Sequence, residues 1–197
     1  MSKSRRTRAT IQSAALDLFL EEGYNATTVE RISVAAGVSH MTFFRYFRSK
    51  DGVLLDDPYD PAIGAAVEEQ PGEMVPLERA CRGILSAWSD VAEEDLGDVR
   101  KRMSIAVGHP QLRARMWENN LATQHVIAEA LRTTGVARLE AEVAAGACMG
   151  ALLVALIDWA TAGEGGIGER IQLAMSQLIP DSDVSGRVTR GIAQELP

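Results

Sequence analysis

Residues 39–50 contain a cluster of polar and basic side chains that can bind a nucleic acid. Arg45 can donate hydrogen bonds to a guanine edge or to a phosphate, and Thr42 can bond a base edge or touch a thymine methyl group. Ser39 stands at the start of a predicted helix, where backbone amides and the helix dipole favour a phosphate. Lys50 follows the same helix and is placed for the same backbone. These residue types indicate contact with a duplex.

A basic segment precedes this cluster. Arg5, Arg6 and Arg8 resemble N-terminal segments that reach the minor groove or the phosphates beside a main reading helix. Residues 1–50 carry a net charge of +4, which leaves −11 on the other 147 residues because the whole chain carries −7. A polyanion would therefore be attracted to the first quarter of the chain and repelled by the rest. A basic tail that only aids solubility is the alternative.

The elements that must position these residues are predicted to be helices. Apolar residues recur at three- and four-residue spacings and no stretch alternates like a strand, so we expect an all-α fold. Gly23 ends a first helix as its C-cap. Thr27 opens a second, with Glu30 completing a capping box, and Ser39 caps a third.

The second and third helices, joined at Gly37, have the arrangement of a helix-turn-helix, whose second helix enters the major groove. Phe43 and Phe47 are four residues apart and must share one face, which we expect to be the inner one. His40, Thr42, Arg45 and Tyr46 are then left on accessible sides. A three-helix bundle without a DNA role is the alternative interpretation of the same turn.

The run from Thr27 to Lys50 also resembles a known protein family. It contains Thr27-Thr28-Val29, then Ile32-Ser33-Val34-Ala35-Ala36-Gly37-Val38-Ser39, and then the aromatic and basic run that ends at Ser49-Lys50. With its flanks, over about residues 8–55, it resembles the N-terminal domain of the TetR family of bacterial transcription regulators. The resemblance implies a homodimer, in most cases a repressor, that binds a near-palindromic DNA operator. It also implies release by a small ligand in the C-terminal domain.

The same resemblance implies individual roles. Phosphates would be held by Thr28, Ser39, Tyr46 and Lys50, and base edges would be met by His40, Met41, Thr42 and Arg45. Phe44 stands where the family often has a tyrosine, so an apolar contact would replace a phosphate hydrogen bond. Asp57-Pro58 would shorten or kink the fourth helix, which usually links the two domains of the family.

The remainder of the chain is predicted to be a helical body. Helices are expected at residues 77–94, 98–107, 110–134, 138–162 and 167–179. The resulting domains are a helix-turn-helix domain at 1–50, an effector-binding and dimerisation domain at 51–180, and a polar tail at 181–197.

A dimer surface is predicted on the last two helices. The 138–162 helix is apolar nearly all round and rich in small residues, so we expect it to be buried on several sides. Paired with its symmetry mate, it would form a four-helix interface with the 167–179 helix. The predicted interface residues are Ala144, Ala147, Ala151, Ala155, Ile171, Ala174, Met175 and Leu178. Packing inside one monomer is the alternative.

An effector pocket is predicted from large apolar groups and a few polar groups on different helices, which is what a small-ligand cavity needs. The candidates are Trp88, Met103, Trp117, Asn119, Asn120, Thr123, Gln124, His125, Met149, Asp158 and Trp159. Asp158 follows an apolar run at 143–157 and requires a partner, a ligand or solvent. An elongated or aromatic apolar effector is expected, and an acyl thioester or fatty acid is one possibility. Plain core packing is the alternative for each residue.

The composition of the chain excludes several other classes of protein. With 46% apolar residues, the chain can bury a core and is not disordered. The apolar run at 143–157 is short of the roughly 20 residues that a bilayer span needs, and we expect no membrane partner and a cytoplasmic protein. Cys81 and Cys148 lie in apolar helical sequence, typical of reduced core thiols.

No enzyme, cofactor or metal is expected. Residues 163–168 match the spacing G-x-G-x-x-G, but a helix rather than a strand precedes them. The histidines and cysteines show no metal-ligand spacing. Two rivals stay open: an activator or ligand-independent regulator, and a helical carrier or enzyme with a structural N-terminal bundle.

Overall fold

The computed structural model describes residues 3–56, 60–89, 91, 93–162 and 165–179, and these residues form ten helices and no strand. The predicted all-α class is confirmed. The helices are α1 (Lys3–Glu22), α2 (Val29–Ala35), α3 (His40–Tyr46), α4 (Lys50–Leu55), α5 (Asp60–Glu68), α6 (Pro76–Ser89), α7 (Glu93–Gly108), α8 (Pro110–Thr133), α9 (Arg138–Ala162) and α10 (Ile167–Ser176). The predicted tail at 181–197 lies outside the described residues, as do Asp57-Pro58 and Gly163.

The first four helices share one apolar core. Ile11 and Leu16 of α1, Ile32 of α2, Phe43 of α3 and Val53 of α4 are all completely buried. This core continues into the start of the body through side chains of α7 and α8. Helix α3 is therefore fixed from behind by the same packing that joins the first four helices to the body.

The start of α2 differs from the prediction by one residue. Thr28 is the N-cap, and its side chain accepts a hydrogen bond from the Arg31 amide. Thr27 is buried instead, and its hydroxyl donates to the Gly23 carbonyl at 3.0 Å, closing the turn after α1. Glu30 thus occupies the second helical position, not the third that a capping box requires.

The basic N-terminal segment is helical. Because α1 begins at Lys3, Arg5, Arg6 and Arg8 belong to its first two turns and do not form an extended arm. Their contact with the minor groove or with phosphates stays a prediction. At Gly37 the backbone takes a φ of 65°, which favours glycine, and this permits the tight turn before α3.

Helix α4 is short, as the Asp-Asp-Pro sequence predicts. Ser49 caps its start by accepting from the Gly52 amide, and the helix ends at Leu55. Its last carbonyls have no partner within the helix, so their partners come from elsewhere. Gln12 of α1 donates to the Val53 carbonyl at 2.9 Å.

The body packs around α9. This helix contacts α6, α7, α8 and α10, and its Ala145 and Cys148 are completely buried. It is long and apolar enough to cross a membrane, with a mean hydropathy of 1.9. Of this apolar stretch 39% is buried, so α9 packs in the core of the body on one side and keeps an exposed apolar face on the other.

Three predicted helix boundaries differ from the structure by more than one residue. Helix α6 ends at Ser89 rather than at residue 94, and α7 begins at Glu93 rather than at residue 98. Gly97 therefore lies inside α7, because a single glycine costs a helix only about 1 kcal/mol and need not end it. Helix α10 ends at Ser176 rather than at residue 179.

Candidate functional site

Helix α3 has a buried apolar face and an exposed outer face. Phe43 and Phe47 are buried with exposures of 0% and 1%, while Met41 is 84% exposed. Ser39 caps the helix by accepting from the Thr42 amide at 3.1 Å. The predicted inner and outer faces of this helix are thus the observed ones.

Side chains on the outer face of α3 contact one another and Glu30 of α2. His40 lies 3.3 Å from Glu30 of α2, and its ring packs edge-on against Phe44 with centroids 4.8 Å apart. The Arg45 guanidinium lies over the Tyr46 ring, 5.2 Å from its centroid, and remains exposed. Backbone bonding at Glu30 and the Thr28 hydroxyl lower the pKa of the Glu30 carboxyl. A carboxylate therefore borders the exposed polar surface.

The N-terminal helix supports α3 from one side. Arg8 donates to the Tyr46 carbonyl at 2.8 Å, and its guanidinium lies 4.3 Å from the Phe47 ring centroid. A hydrogen bond with Ser4 is the main cause that lowers the pKa of the Tyr46 hydroxyl. Arg5 and Arg6 are exposed on α1. Arg8 thus positions α3, whereas Arg5 and Arg6 remain at the surface.

Lys50 is bonded within the protein. Its ammonium group donates to the carbonyls of Tyr24 and Thr27 at 2.7 and 2.9 Å and lies 4.1 Å from the Tyr24 ring centroid. Partial burial lowers its pKa. This side chain fixes the turn before α2, and the turn presents the exposed Thr28. Its predicted contact with a phosphate stays a prediction.

A cavity of about 100 Å³ lies in the body next to α4. It is lined by Leu54, Leu55, Ile63, Trp88, Val99, Arg102, Met103, Met116, Asn119, Asn120, Thr123, Met149, Leu152, Leu153 and Leu156. Among the predicted pocket residues, Trp88, Met103, Asn119, Asn120, Thr123 and Met149 meet here. Most of the lining is apolar, as expected for a small-ligand site.

The other predicted pocket residues lie elsewhere, which corrects the prediction. Trp117 is 58% exposed, and His125 lines a separate open groove between α5 and α8. Gln124 packs beside Gly146 of α9. Asp158 pairs with Arg170 at 2.6 Å at the surface, and Trp159 is buried in the core beneath Arg100.

The sequence analysis missed Arg102. Its Nε donates to the Leu54 carbonyl at 2.8 Å and its Nη2 to the Asp56 carbonyl at 2.9 Å, while the side chain also lines the cavity. One arginine thus joins the cavity to the end of α4. No local signal identifies it, because its acceptors lie 48 and 46 residues away in the chain.

The predicted dimer residues divide into two groups. Ala144, Ala155, Ile171 and Met175 are at most 4% exposed in a single chain, because they pack in its own core. This corrects their assignment to an interface. Ala147, Ala151, Ala174 and Leu178 are partly exposed. The large apolar residues exposed on the two helices are Leu139, Val143, Val154 and Leu173.

Comparisons with known proteins agree with this architecture. Residues 11–56 match the model of "Bacterial regulatory proteins, tetR family", and residues 75–182 match that of the "MftR C-terminal domain". The chain is 37% identical over 107 residues to the HTH-type transcriptional regulator TcmR of Streptomyces glaucescens, a match over 53% of this chain and 47% of TcmR. This chain thus spans about half of the length of TcmR.

Solved structures show the same fold. SmeT, the repressor of the Stenotrophomonas maltophilia multidrug efflux pump SmeDEF, matches with a TM-score of 0.56 and 19% identity over 90% of each chain. NalD, the secondary repressor of the MexAB-OprM multidrug efflux pump in Pseudomonas aeruginosa, matches with a TM-score of 0.54 and 22% identity. That match covers 92% of this chain and all of NalD.

Proposed function

The chain belongs to the TetR family of DNA-binding transcriptional regulators, and from this membership we propose that it is a homodimeric repressor released from a near-palindromic operator by a small ligand. In this proposal, residues 1–50 read the operator and residues 51–180 bind the effector and the second copy. The protein acts in the cytoplasm.

The observation that carries the proposal is the outer face of α3. Ser39, His40, Met41 and Arg45 are exposed there, while the opposite face is fixed by buried phenylalanines. A helix packed on one side and polar on the other can enter the major groove without rearranging. We assign base edges to His40, Met41, Thr42 and Arg45, with Phe44, 45% exposed, as an apolar contact.

Phosphate contacts surround this face. We assign them to Ser39, Thr28 and Tyr46, with Arg5 and Arg6 of α1 on the flank. The basic first quarter of the chain supports this, because several phosphate contacts need local positive charge. Lys50 contributes mainly by holding the turn that presents Thr28.

The dimer surface that we propose is the exposed face of α9 and α10. Leu139, Val143 and Val154 are 73%, 62% and 67% exposed, and Leu173 of α10 is 63% exposed. Large apolar side chains at helical spacing on one surface favour a partner helix. The partly exposed Ala147 and the exposed Gly150 allow close helix approach on the same face of α9.

The cavity beside α4 is the proposed effector site. A ligand there would touch Leu54 and Leu55 of α4 as well as the body. For release from DNA, the ligand must prefer the conformation that does not bind the operator.

Salt titration tests DNA binding directly. Affinity for a duplex should fall steeply as the salt concentration rises, because each phosphate contact releases counterions. A flat response would support a helical carrier with a structural N-terminal bundle instead.

A further inference from the structure

Cys81 of α6 and Cys148 of α9 meet in the core of the body. Both side chains are completely buried, and their Sγ atoms lie 3.2 Å apart although the residues are 67 positions apart in the chain. Both are free thiols in the structure. Because the sequence contains 2 cysteines in all, each is the sole thiol that can pair with the other inside one chain.

The separation of the two sulfurs is close to that in a disulfide. The S–S bond of a disulfide is about 2.05 Å long, so the sulfurs need to approach by about 1 Å, which is within the reach of side-chain rotation. Ala80 beside Cys81 and Ala144 and Ala145 one turn before Cys148 are buried. These small side chains allow α6 and α9 to lie close together.

We infer that Cys81 and Cys148 form a redox modification site, at which a hydroperoxide oxidises the two thiols to a disulfide that joins α6 to α9. In the reducing cytoplasm proposed for this protein, such disulfides are transient and typical of redox sensing. The site requires neither the DNA contacts of α3 nor a bound effector. It can therefore exist even if the proposed function is wrong.

The two thiols are not equivalent. Cys148 Sγ lies 3.8 Å from the Leu77 carbonyl oxygen, to which its thiol can donate. The hydrogen bond between the two thiols lowers the pKa of Cys81 and raises the pKa of Cys148. Since the thiolate is the nucleophile in thiol oxidation, Cys81 attacks the peroxide.

The oxidation proceeds in two steps. The Cys81 thiolate attacks one peroxide oxygen, the O–O bond breaks, and Cys81 becomes a sulfenic acid. The leaving oxygen takes the proton that the Cys81 thiol has lost and departs as an alcohol, or as water when the oxidant is hydrogen peroxide. The Cys148 sulfur then attacks the Cys81 sulfur, the S–O bond breaks, and hydroxide leaves with the Cys148 proton as water.

The disulfide joins two helices that line the cavity beside α4. Trp88 of α6 and Met149 and Leu152 of α9 belong to that lining, and Leu152 follows Cys148 by one turn. A bond between the helices holds them at the spacing described here. Because both thiols are buried, the peroxide reaches them when the body opens locally, and we expect a reaction over minutes to hours.

Peptide mapping of the full chain tests the site. The reduced protein is incubated for a day with millimolar hydrogen peroxide, remaining thiols are alkylated under denaturing conditions, and the digest is analysed by mass spectrometry without reductant. We expect most chains to yield a Cys81–Cys148 peptide pair, lighter than the two thiol peptides by two hydrogen atoms, that dithiothreitol separates. Two alkylated cysteines, sulfinic or sulfonic acids without this pair, or links between two chains instead of it, overturn the inference.

Melting temperatures test whether the bond fits the spacing of α6 and α9. The oxidised chain should melt about 5–10 °C higher than the same sample after dithiothreitol, because the disulfide closes a long loop and restricts the unfolded chain. A disulfide that leaves the melting temperature unchanged or lowers it contradicts this fit.

Peroxide also oxidises methionine, so a variant without the pair is needed as a control. Cys148→Ala keeps every methionine and cannot form the bond within one chain, and dithiothreitol should leave its melting temperature after peroxide unchanged. Cys81→Ala replaces it if Cys148→Ala does not fold. A rise in the control equal to that of the unaltered chain overturns the assignment to Cys81 and Cys148.

Discussion

Asp51 of α4 and Arg115 of α8 form an ion pair with 2.8 Å between Oδ2 and Nη1. The Tyr24 hydroxyl donates to the same carboxylate, and burial is the main cause that raises the pKa of Tyr24, with Asp51 adding to it. The Tyr24 ring lies 5.3 Å from the His109 ring, at the junction of α7 and α8. These contacts connect the DNA-binding helices to the body on the side of α8.

We expect Arg115→Ala to weaken this connection. The pair is half exposed on the arginine side, so the loss in unfolding free energy should stay below about 1 kcal/mol. Operator affinity should fall by about fivefold, because the two reading helices become less well oriented. Lys101→Ala, which removes an exposed pair with Asp98 inside α7, is the control. Equal affinities for the two variants would show that the Asp51 pair does not orient α4.

Arg45→Ala should weaken binding to the operator without unfolding the protein. Arg45 is exposed and its loss opens no cavity, whereas a lost base contact costs roughly 1–3 kcal/mol in binding. Tyr46→Ala should act in the same direction through a phosphate. Fluorescence anisotropy with a labelled operator measures both, and Arg138→Ala, an exposed arginine of the body, controls for the charge change. Unchanged affinity in both α3 variants would contradict the assignment of this helix.

Val154→Asp should turn the proposed dimer into single chains. Val154 is 67% exposed on α9, and a carboxylate placed there would be desolvated against its symmetry mate. Val75→Asp changes a valine that is 63% exposed just before α6 and should leave the mass unchanged. Light scattering coupled to size exclusion measures the masses. A Val154→Asp protein that keeps the dimer mass would place the interface elsewhere.

Gly83→Ala should destabilise the body by about 1–3 kcal/mol, as overpacking does. A Cβ at Gly83 of α6 would lie 2.8 Å from the Val67 Cα, which is backbone that cannot turn away. Gly97→Ala is the matched control, because a Cβ there meets nothing within 4 Å. This control should gain up to about 1 kcal/mol from helix propensity. Equal melting temperatures for the two variants would refute the close approach of α5 and α6.

Local patterns predicted the DNA-binding helices well. The four-residue spacing of Phe43 and Phe47, the glycine turn at Gly37 and the cap at Ser39 depend on neighbouring residues only. Such short-range rules need no knowledge of the rest of the chain. For the same reason the short α4 followed from Asp56-Asp57-Pro58. The rules were wrong at Thr27, which is not the N-cap of α2, and at Gly97, which lies inside α7.

Contacts between residues far apart in the chain could not be predicted from the sequence. Lys50 donates to the carbonyls of Tyr24 and Thr27, which lie 26 and 23 residues earlier in the chain. The residues next to Lys50 in the sequence do not predict these bonds. The 138–162 segment is apolar nearly all round, so its periodicity does not distinguish buried Ala144 from exposed Val143. Asp158 finds its partner on another helix, at Arg170. Which residues line the cavity likewise depends on how the helices pack against one another.

Selection and sequencing of DNA fragments retained by the purified protein is the most direct test that a symmetric pair of α3 helices reads DNA. The account predicts an enriched inverted repeat whose halves are centred about one helical turn, or roughly 34–36 Å, apart. Enrichment should disappear in the Arg45→Ala variant. A retained pool without any enriched sequence, or with a single unrepeated half-site bound by one chain, would contradict it.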